Sequence, residues 1–535
     1  MAASQSNSRD RVALYVLQFG AVAIVLAALP YKAFDLDRYF LPKELVLHVC
    51  AAVAAINCIA RRRRVTVRSI DLLLAAFLVA SLISAALATN KWAAERALAI
   101  SVSGAALFWV ASALRKAGLG RPLIVALAVA VVVGVGTSLA QAYGVQTEYF
   151  SLNRVPGGTF GNRNFIAHLA AIGTPVVILV ALTAPRGVGS LFGAIAMAAV
   201  AATLVLSRSR AAWLAVIAFS VPVGLLAKLT WARWSNPRTA RRVLVLGGAI
   251  VAGVLVALFV PNRLEWKSGS PYLDSAAGLV NYKAGSGAGR LVQYTNSLAM
   301  TRAYPVFGVG PGNWPVVYPK FASRNDPSMS QSDGVTSNPW PSSDWAAYLS
   351  ERGVLGCLLL ALVMIGLAIR AVRDVGDVGR ASEDPERVLT SIALVGTLVA
   401  TAVVGAFDAV LLIAVPTYFV WTLAGVLRPL TGGAEVELDV RRFVPALMAG
   451  VAVMVIGRSA GQVAAIAVAS PSARLDVLVR ATVFDPGNYR LRTRLAEAYI
   501  ARGDCVHARA QARAARDLLP SAAEPKRALA QCGGR

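Results

Sequence analysis

Apolar runs of about 18 to 25 residues recur along most of the chain, divided by short polar segments. A run of that length spans the ~30 Å hydrocarbon layer of a bilayer as a helix. The runs predict membrane-spanning helices near 12–30, 43–60, 70–89, 96–114, 122–142, 165–184, 188–206, 211–227, 243–260, 353–371, 388–409, 412–427 and 443–460. Such boundaries are good to a few residues. The first run has no small-residue cleavage site before a soluble region, so it reads as a retained span rather than a removable leader. The pattern lapses twice. Residues from about 261 to 350 are rich in Gly, Pro, Ser, Asn, Trp and Tyr, and the chain turns polar again from about 471.

Composition agrees with the pattern. The chain has 535 residues, 57% hydrophobic and 15% charged, with a mean hydropathy of +0.60. Soluble proteins carry about 25% charged residues. The expected fold class is an all-α polytopic membrane protein of about 12–13 transmembrane helices with a small helical domain at its end. The expected divisions are a transmembrane domain at 1–430, a linker and last span at 431–470, and a soluble repeat at 471–535.

The net charge of +25 would suggest nucleic acid in a soluble protein. Here the cations crowd short loops, where they set orientation instead, and no nucleic-acid partner is expected. Arg61–Arg64, Arg115, Lys116, Arg121, Lys228, Arg233, Arg238, Arg241, Arg242, Arg370, Arg373 and Arg380 all fall on one side if the N-terminus is cytoplasmic. That places the long segment at 261–350 in the periplasm of a bacterial inner membrane. Thirteen spans put the C-terminus there too. Long loops between membrane helices tend to carry function.

In the tail, Ala496, Tyr499, Gly503, Ala508, Ala515 and Pro520 match the small, aromatic and turn positions of a tetratricopeptide repeat. Pro486 and Pro520 repeat its 34-residue period. Fewer than three repeats rarely stand alone, so the tail should lean on the membrane domain or on a protein partner. Cys505 should open one repeat helix and Cys532 close the next, which permits a disulfide in an oxidising compartment. Cys50, Cys58 and Cys357 lie in apolar runs, and no metal-site spacing appears.

Four polar segments carry candidate chemistry. Gly157-Gly158-Thr159-Phe160-Gly161-Asn162-Arg163-Asn164-Phe165 precedes the sixth span; its glycines suit a tight turn, and Asn162 and Asn164 can cap a helix start. Leu206-Ser207-Arg208-Ser209-Arg210 joins two spans; arginines there either snorkel to headgroups or face a cavity. Arg290 precedes Tyr304-Pro305-Val306-Phe307-Gly308-Val309-Gly310-Pro311-Gly312-Asn313-Trp314. Gly308, Gly310 and Gly312 resemble a phosphate loop only superficially, because no strand–loop–Lys context surrounds them. Last comes Ser342-Ser343-Asp344, leading through Glu351-Arg352-Gly353-Val354-Leu355-Gly356 into the tenth span. By itself Glu351 reads equally well as a carboxylate bonded to nearby backbone.

Taken in order, these segments resemble the O-antigen ligase and polymerase superfamily across roughly residues 10–430. Phe40-Leu41-Pro42-Lys43 and Phe407-Asp408 add to the likeness. The resemblance implies a fold like that of the metal-independent C-type glycosyltransferases. It implies transfer of a glycan from an undecaprenyl-diphosphate carrier to an acceptor hydroxyl, on lipid A–core or on another glycan. No metal or nucleotide cofactor is implied.

The chemistry explains the arginines. Displacing a diphosphate from an anomeric carbon builds negative charge on the leaving group, and guanidinium offers permanent, bidentate donors to phosphate. By the resemblance, Arg210 and Arg290 bind the diphosphate, with Lys91 as a third cation. The remaining expected catalytic residues are Ser342, Asp344 and Glu351. Gly353, Gly356, the loop glycines and the two asparagines are expected to be structural. Ligases of the family usually hold a His nine residues before the motif Glu, where this chain has Ser342. A lone Ser is a poor base. Asp344 is the expected helper, unless departure of the leaving group dominates the barrier.

Three functions follow: a ligase acting on lipid A–core; a polymerase of O-antigen, capsule or exopolysaccharide, which the absent His favours; and a non-catalytic scaffold whose tail recruits a partner. An ion-coupled transporter would show more intramembrane charge than Asp408, His48 and His168 supply.

Overall fold

A computed structural model describes residues 8–30, 37–59, 64–185, 187–266, 268–278, 285–323, 325–330, 332–377, 385–429, 435–439, 444–469 and 474–533. A helix stands at each of the thirteen positions where the apolar pattern predicts a span. They are α1 (Ser8–Leu26), α2 (Asp37–Cys58), α3 (Ser69–Leu87), α4 (Lys91–Lys116), α5 (Gly120–Ala142), α6 (Arg163–Thr183), α7 (Val188–Ser207), α8 (Arg210–Leu229) and α9 (Pro237–Phe259). After the loop helix α10 (Gly285–Ala303) follow α11 (Asp344–Asp377), α12 (Pro385–Phe407), α13 (Ala414–Leu427) and α14 (Val444–Ala469). Eleven of these are long and apolar enough to cross a membrane. The protein is an all-α, multi-pass membrane protein.

The two exceptions have physical reasons. Helix α1 carries Arg9, Asp10 and Arg11 in its first turn. Helix α13 has 14 residues, about 21 Å at ~1.5 Å per residue. Every one of them is buried, so α13 need not match the bilayer. The backbone at 408–413, between α12 and α13, is not helical. Unpaired backbone at such depth is tolerated only inside protein. Here the Asp344 carboxylate accepts the N–H groups of Val410 (2.9 Å) and Leu411 (2.8 Å).

Helices α6 and α12 form the centre of the bundle, with α8 against α12 and α9 against α7 nearer the periphery. The cationic loops gather at one end. There Arg68 bonds Glu435, Arg428 pairs with Asp71 (2.7 Å), Arg121 with Glu386 (2.6 Å), and Arg233 donates to the Val375 carbonyl (2.8 Å). Strands β1 (Arg64–Val67) and β2 (Val436–Asp439) pair antiparallel at the same end. Arg61–Arg63, Arg380 and most of the predicted linker at 431–443 lie outside the described residues.

The opposite end is covered by the long loop and the tail. The loop has its own small core of Met300, Val309, Trp314, Val316, Val317 and Tyr318. Tail helices α15 (Leu475–Phe484), α16 (Tyr489–Ile500), α17 (Cys505–Leu518) and α18 (Ala523–Gln531) form antiparallel hairpins. They do lean on the membrane domain. Leu478, Ala481, Leu491 and Leu495 share a core with Leu41 of α2 and Ala465, Ile466 and Ala469 of α14. Cys505 and Cys532 are bonded, with Cα atoms 5.3 Å apart.

Candidate functional site

Helix α11 is two helices joined at Gly353, where φ is +69°. The span therefore starts where the sequence predicts it, and Asp344–Arg352 is a separate buttress. The glycine loop is threaded against this junction. Val309 donates to the Ser350 carbonyl (3.0 Å), Gly310 to Glu351 (2.8 Å), and Val354 to Pro305 (2.8 Å). Both partners must be glycine at the closest point. A Cβ on Gly308 would stand 2.3 Å from the Glu351 carbonyl carbon, and one on Gly353 would stand 2.2 Å from the Val306 oxygen. Gly308, Gly310 and Gly312 all have positive φ.

Glu351 closes the same knot. Its carboxylate accepts the N–H groups of Gly312 (2.8 Å) and Trp314 (3.1 Å), and the residue is 2% exposed. Its observed contacts are those of a structural carboxylate. Gly356 sits one turn beyond Arg352, against that residue's side chain.

Before α6, Asn162 is the N-cap and accepts the Asn164 N–H (3.0 Å), as the sequence suggests. Gly161 has φ +76°, and a Cβ there would meet the Tyr39 ring at 2.5 Å. The turn is thereby pressed onto α2. It leaves the Asn164 side chain facing inward, with its amide 3.5 Å from the Asp408 carboxylate.

The Asn162 turn, α10, the loop stretch at 327–342 and the tail border a cavity of about 1210 Å³, which the glycine knot and Glu351 do not line. Its floor holds Arg154, Asn164, Arg290, Gln293, Ser342 and Asp408. Helix α10 organises it. Gln293 accepts the Ser342 N–H (2.9 Å), and the Tyr294 hydroxyl reaches the carbonyls of Ser342 (3.0 Å) and Ala406 (2.8 Å). One face of α10 thus fixes Ser342 to the end of α12 and points Arg290 into the space. The Arg290 Nε is buried and makes no hydrogen bond within the described residues. A buried guanidinium nitrogen without a partner is costly, and a bound anion would satisfy it.

Asp408 is the floor's carboxylate. Its side chain is 16% exposed, its Oδ1 accepts the Ala409 N–H (2.9 Å), and Nε2 of the fully buried His168 lies 3.7 Å from its Oδ2. The sequence marks Asp408 as part of a motif and, with His168, as one of a few polar groups within the spans. Their meeting across 240 positions is visible only in three dimensions.

The structure does not bring every predicted site residue here. Asp344 is 1% exposed and spends both oxygens on the 408–413 turn. It does not line the cavity. Lys91 is exposed at the start of α4, its ammonium on the Ala86 carbonyl. Arg210 lies outside the lining and donates to the Gly278 carbonyl (2.6 Å), just before residues 279–284, which are not described. Its neighbour Arg208, in a left-handed conformation, lies over Trp266 at 4.7 Å, with Arg163 5.3 Å from the same ring. Arg154 and Gln293, both on the floor, carry no signal in the sequence.

No curated protein matches the chain. Residues 195–361 match the family model described as "O-Antigen ligase". That segment runs from within α7 through Arg210, Arg290 and the glycine loop to the first turns of α11 beyond Gly353. Over that segment the chain is similar to the O-antigen ligase family.

Proposed function

We propose that this protein transfers a glycan from undecaprenyl diphosphate to an acceptor hydroxyl at the periplasmic face of the bacterial inner membrane, as an O-antigen ligase acting on lipid A–core. The observation that carries the reading is Arg290, whose buried Nε has no hydrogen-bond partner among the described residues, on the floor of a large polar cavity at the end of the bundle away from the cationic loops. By the positive-inside rule that end is periplasmic. The bonded Cys505–Cys532 pair on the same end suits an oxidising compartment.

In the proposed reaction the acceptor oxygen attacks the anomeric carbon. The bond from that carbon to the diphosphate oxygen breaks, and undecaprenyl diphosphate leaves with the electron pair. Arg290 stabilises the charge as it develops, in a site fixed by Gln293 and Tyr294. Asp408 takes the hydroxyl proton, with the Asn164 amide beside its carboxylate. Arg210 assists the diphosphate from the α7–α8 side. Ser342 orients the acceptor. Lys91 serves as a peripheral cation.

One observation favours polymerisation of a carrier-linked glycan instead: Ser342 lines the cavity where ligases of the family usually place a histidine. The test is the surface-glycan profile of a deletion strain complemented with wild type or Arg290→Ala. Long polymer held on the carrier above bare lipid A–core establishes the ligase. Single repeat units on carrier or core establish the polymerase. Unchanged glycans refute both and bring the scaffold reading forward. Arg290→Ala should behave as the deletion while the protein accumulates normally.

A further inference from the structure

The roof of the cavity belongs to the tail. Tyr489, Arg490, Thr493, Arg494 and Glu497 of α16 and Glu524 of α18 all line it. The five from α16 follow the 3.6-residue period, so they form one face of one helix. The opposite face carries Leu491 and Leu495 into the core shared with α2 and α14. The helix is therefore held to the membrane domain by its apolar side, with its polar side turned to the cavity. Further contacts fix its height. Trp92 Nε1 donates to Asp485 (2.9 Å), Ala523 N–H to the Asp333 carbonyl (2.8 Å), and the Tyr489 hydroxyl to Glu524 (2.8 Å).

We infer that this face of α16 is a glycan-binding subsite, which grips the sugar chain of the lipid-linked donor while Arg290 holds its diphosphate. The inference rests on the transfer reading given above. Its geometry follows from the substrate's own construction. A polyprenyl tail must stay in the bilayer, its diphosphate sits at the interface, and the sugars can extend only away from the membrane, toward the tail. The volume of about 1210 Å³ exceeds the ~1,000 Å³ upper range of small-molecule pockets, as an oligosaccharide requires. The chemistry is suitable as well. Guanidinium and carboxylate side chains donate to and accept from adjacent sugar hydroxyls, and the Tyr489 ring offers an apolar surface to a sugar face. On this reading the tail selects the glycan and does not serve chiefly to recruit a protein.

The test uses the full chain in nanodiscs and two probes: undecaprenyl diphosphate without sugar, and water-soluble oligosaccharide released from the cell's own surface glycan. Arg490→Ala combined with Thr493→Ala should weaken oligosaccharide binding at least tenfold and leave the bare carrier's affinity within twofold. Arg290→Ala should do the reverse. Arg490→Lys should recover part of the oligosaccharide binding, and an intact Cys505–Cys532 bond by mass spectrometry certifies the fold of each variant. Oligosaccharide binding that the double variant leaves unchanged, or that the wild type lacks, overturns the subsite. Oligosaccharide binding that is lost in the double variant, with no wild-type affinity for bare carrier, upholds the subsite and refutes carrier-linked transfer.

Discussion

At the scale of single residues, two aspartates that the sequence weighs differently exchange roles. Asp344 is two positions from Ser342 in the chain, yet it is buried under the 408–413 turn, while Asp408 reaches the cavity from 66 residues further on. Asp344 opens α11 whereas Ser342 lies outside that helix, which is why adjacency in sequence misleads here. Asp408→Asn should lower transfer about a hundredfold, the lower bound for losing a general base, with normal accumulation and melting. Asp344→Asn should instead lower stability by about 1.5–3 kcal/mol, the worth of hydrogen bonds to a charged acceptor. Thermal unfolding in detergent, run beside transfer assays, separates the two. Arg290 and Ser342 were legible because a family motif marks their positions. Gln293, Arg154 and the His168–Asp408 contact were not, since each matters only through a partner far away in sequence.

At the scale of elements, all thirteen helices were legible because lipid demands long apolar runs and leaves little room for ambiguity. The break at Gly353 was legible as the start of a span. The knot it makes with the glycine loop was not, for it depends on two backbones meeting at van der Waals limits. Gly353→Ala should place a Cβ against the Val306 carbonyl at a left-handed φ. The strain is on the order of 1–3 kcal/mol before the clash is counted, and protein yield should fall accordingly by immunoblot of membranes. In the tail, burial and the neighbouring Glu524 hold the Glu497 carboxyl above the ordinary range. A carboxyl raised on folding contributes stability at low pH that is lost as the pH climbs through its folded value. Glu497→Gln should therefore raise the tail's melting point at pH 8 and change it little at pH 4, a trend that scanning fluorimetry would follow.

At the scale of the whole molecule, the loop cations predict which loops share a side, and the described parts of those loops gather at one end. The tail's small residues announced helix pairing, and Ala496, Ala508 and Ala515 are indeed buried. Where the tail docks could not be read, because besides the adjoining α14 its contacts reach Leu41 of α2 and Asp333 of the long loop, far earlier in the chain. Its bond between Cys505 and Cys532 closes a stretch with a separation of 27 residues. On the chain-entropy view such a closure is worth about 3.5 kcal/mol to the tail. Cys505→Ser should loosen α17 and α18, and with them the cavity roof. Mild reductant should mimic it, and trypsin sensitivity of the tail should rise in step with loss of activity.

The roof is also made last. A ribosome delivers the floor of the cavity, through Asp408 at the end of α12, well before α16 emerges. Until then the cavity lacks the wall that the tail supplies. The order of synthesis thus leaves the tail to complete a space that the membrane helices begin.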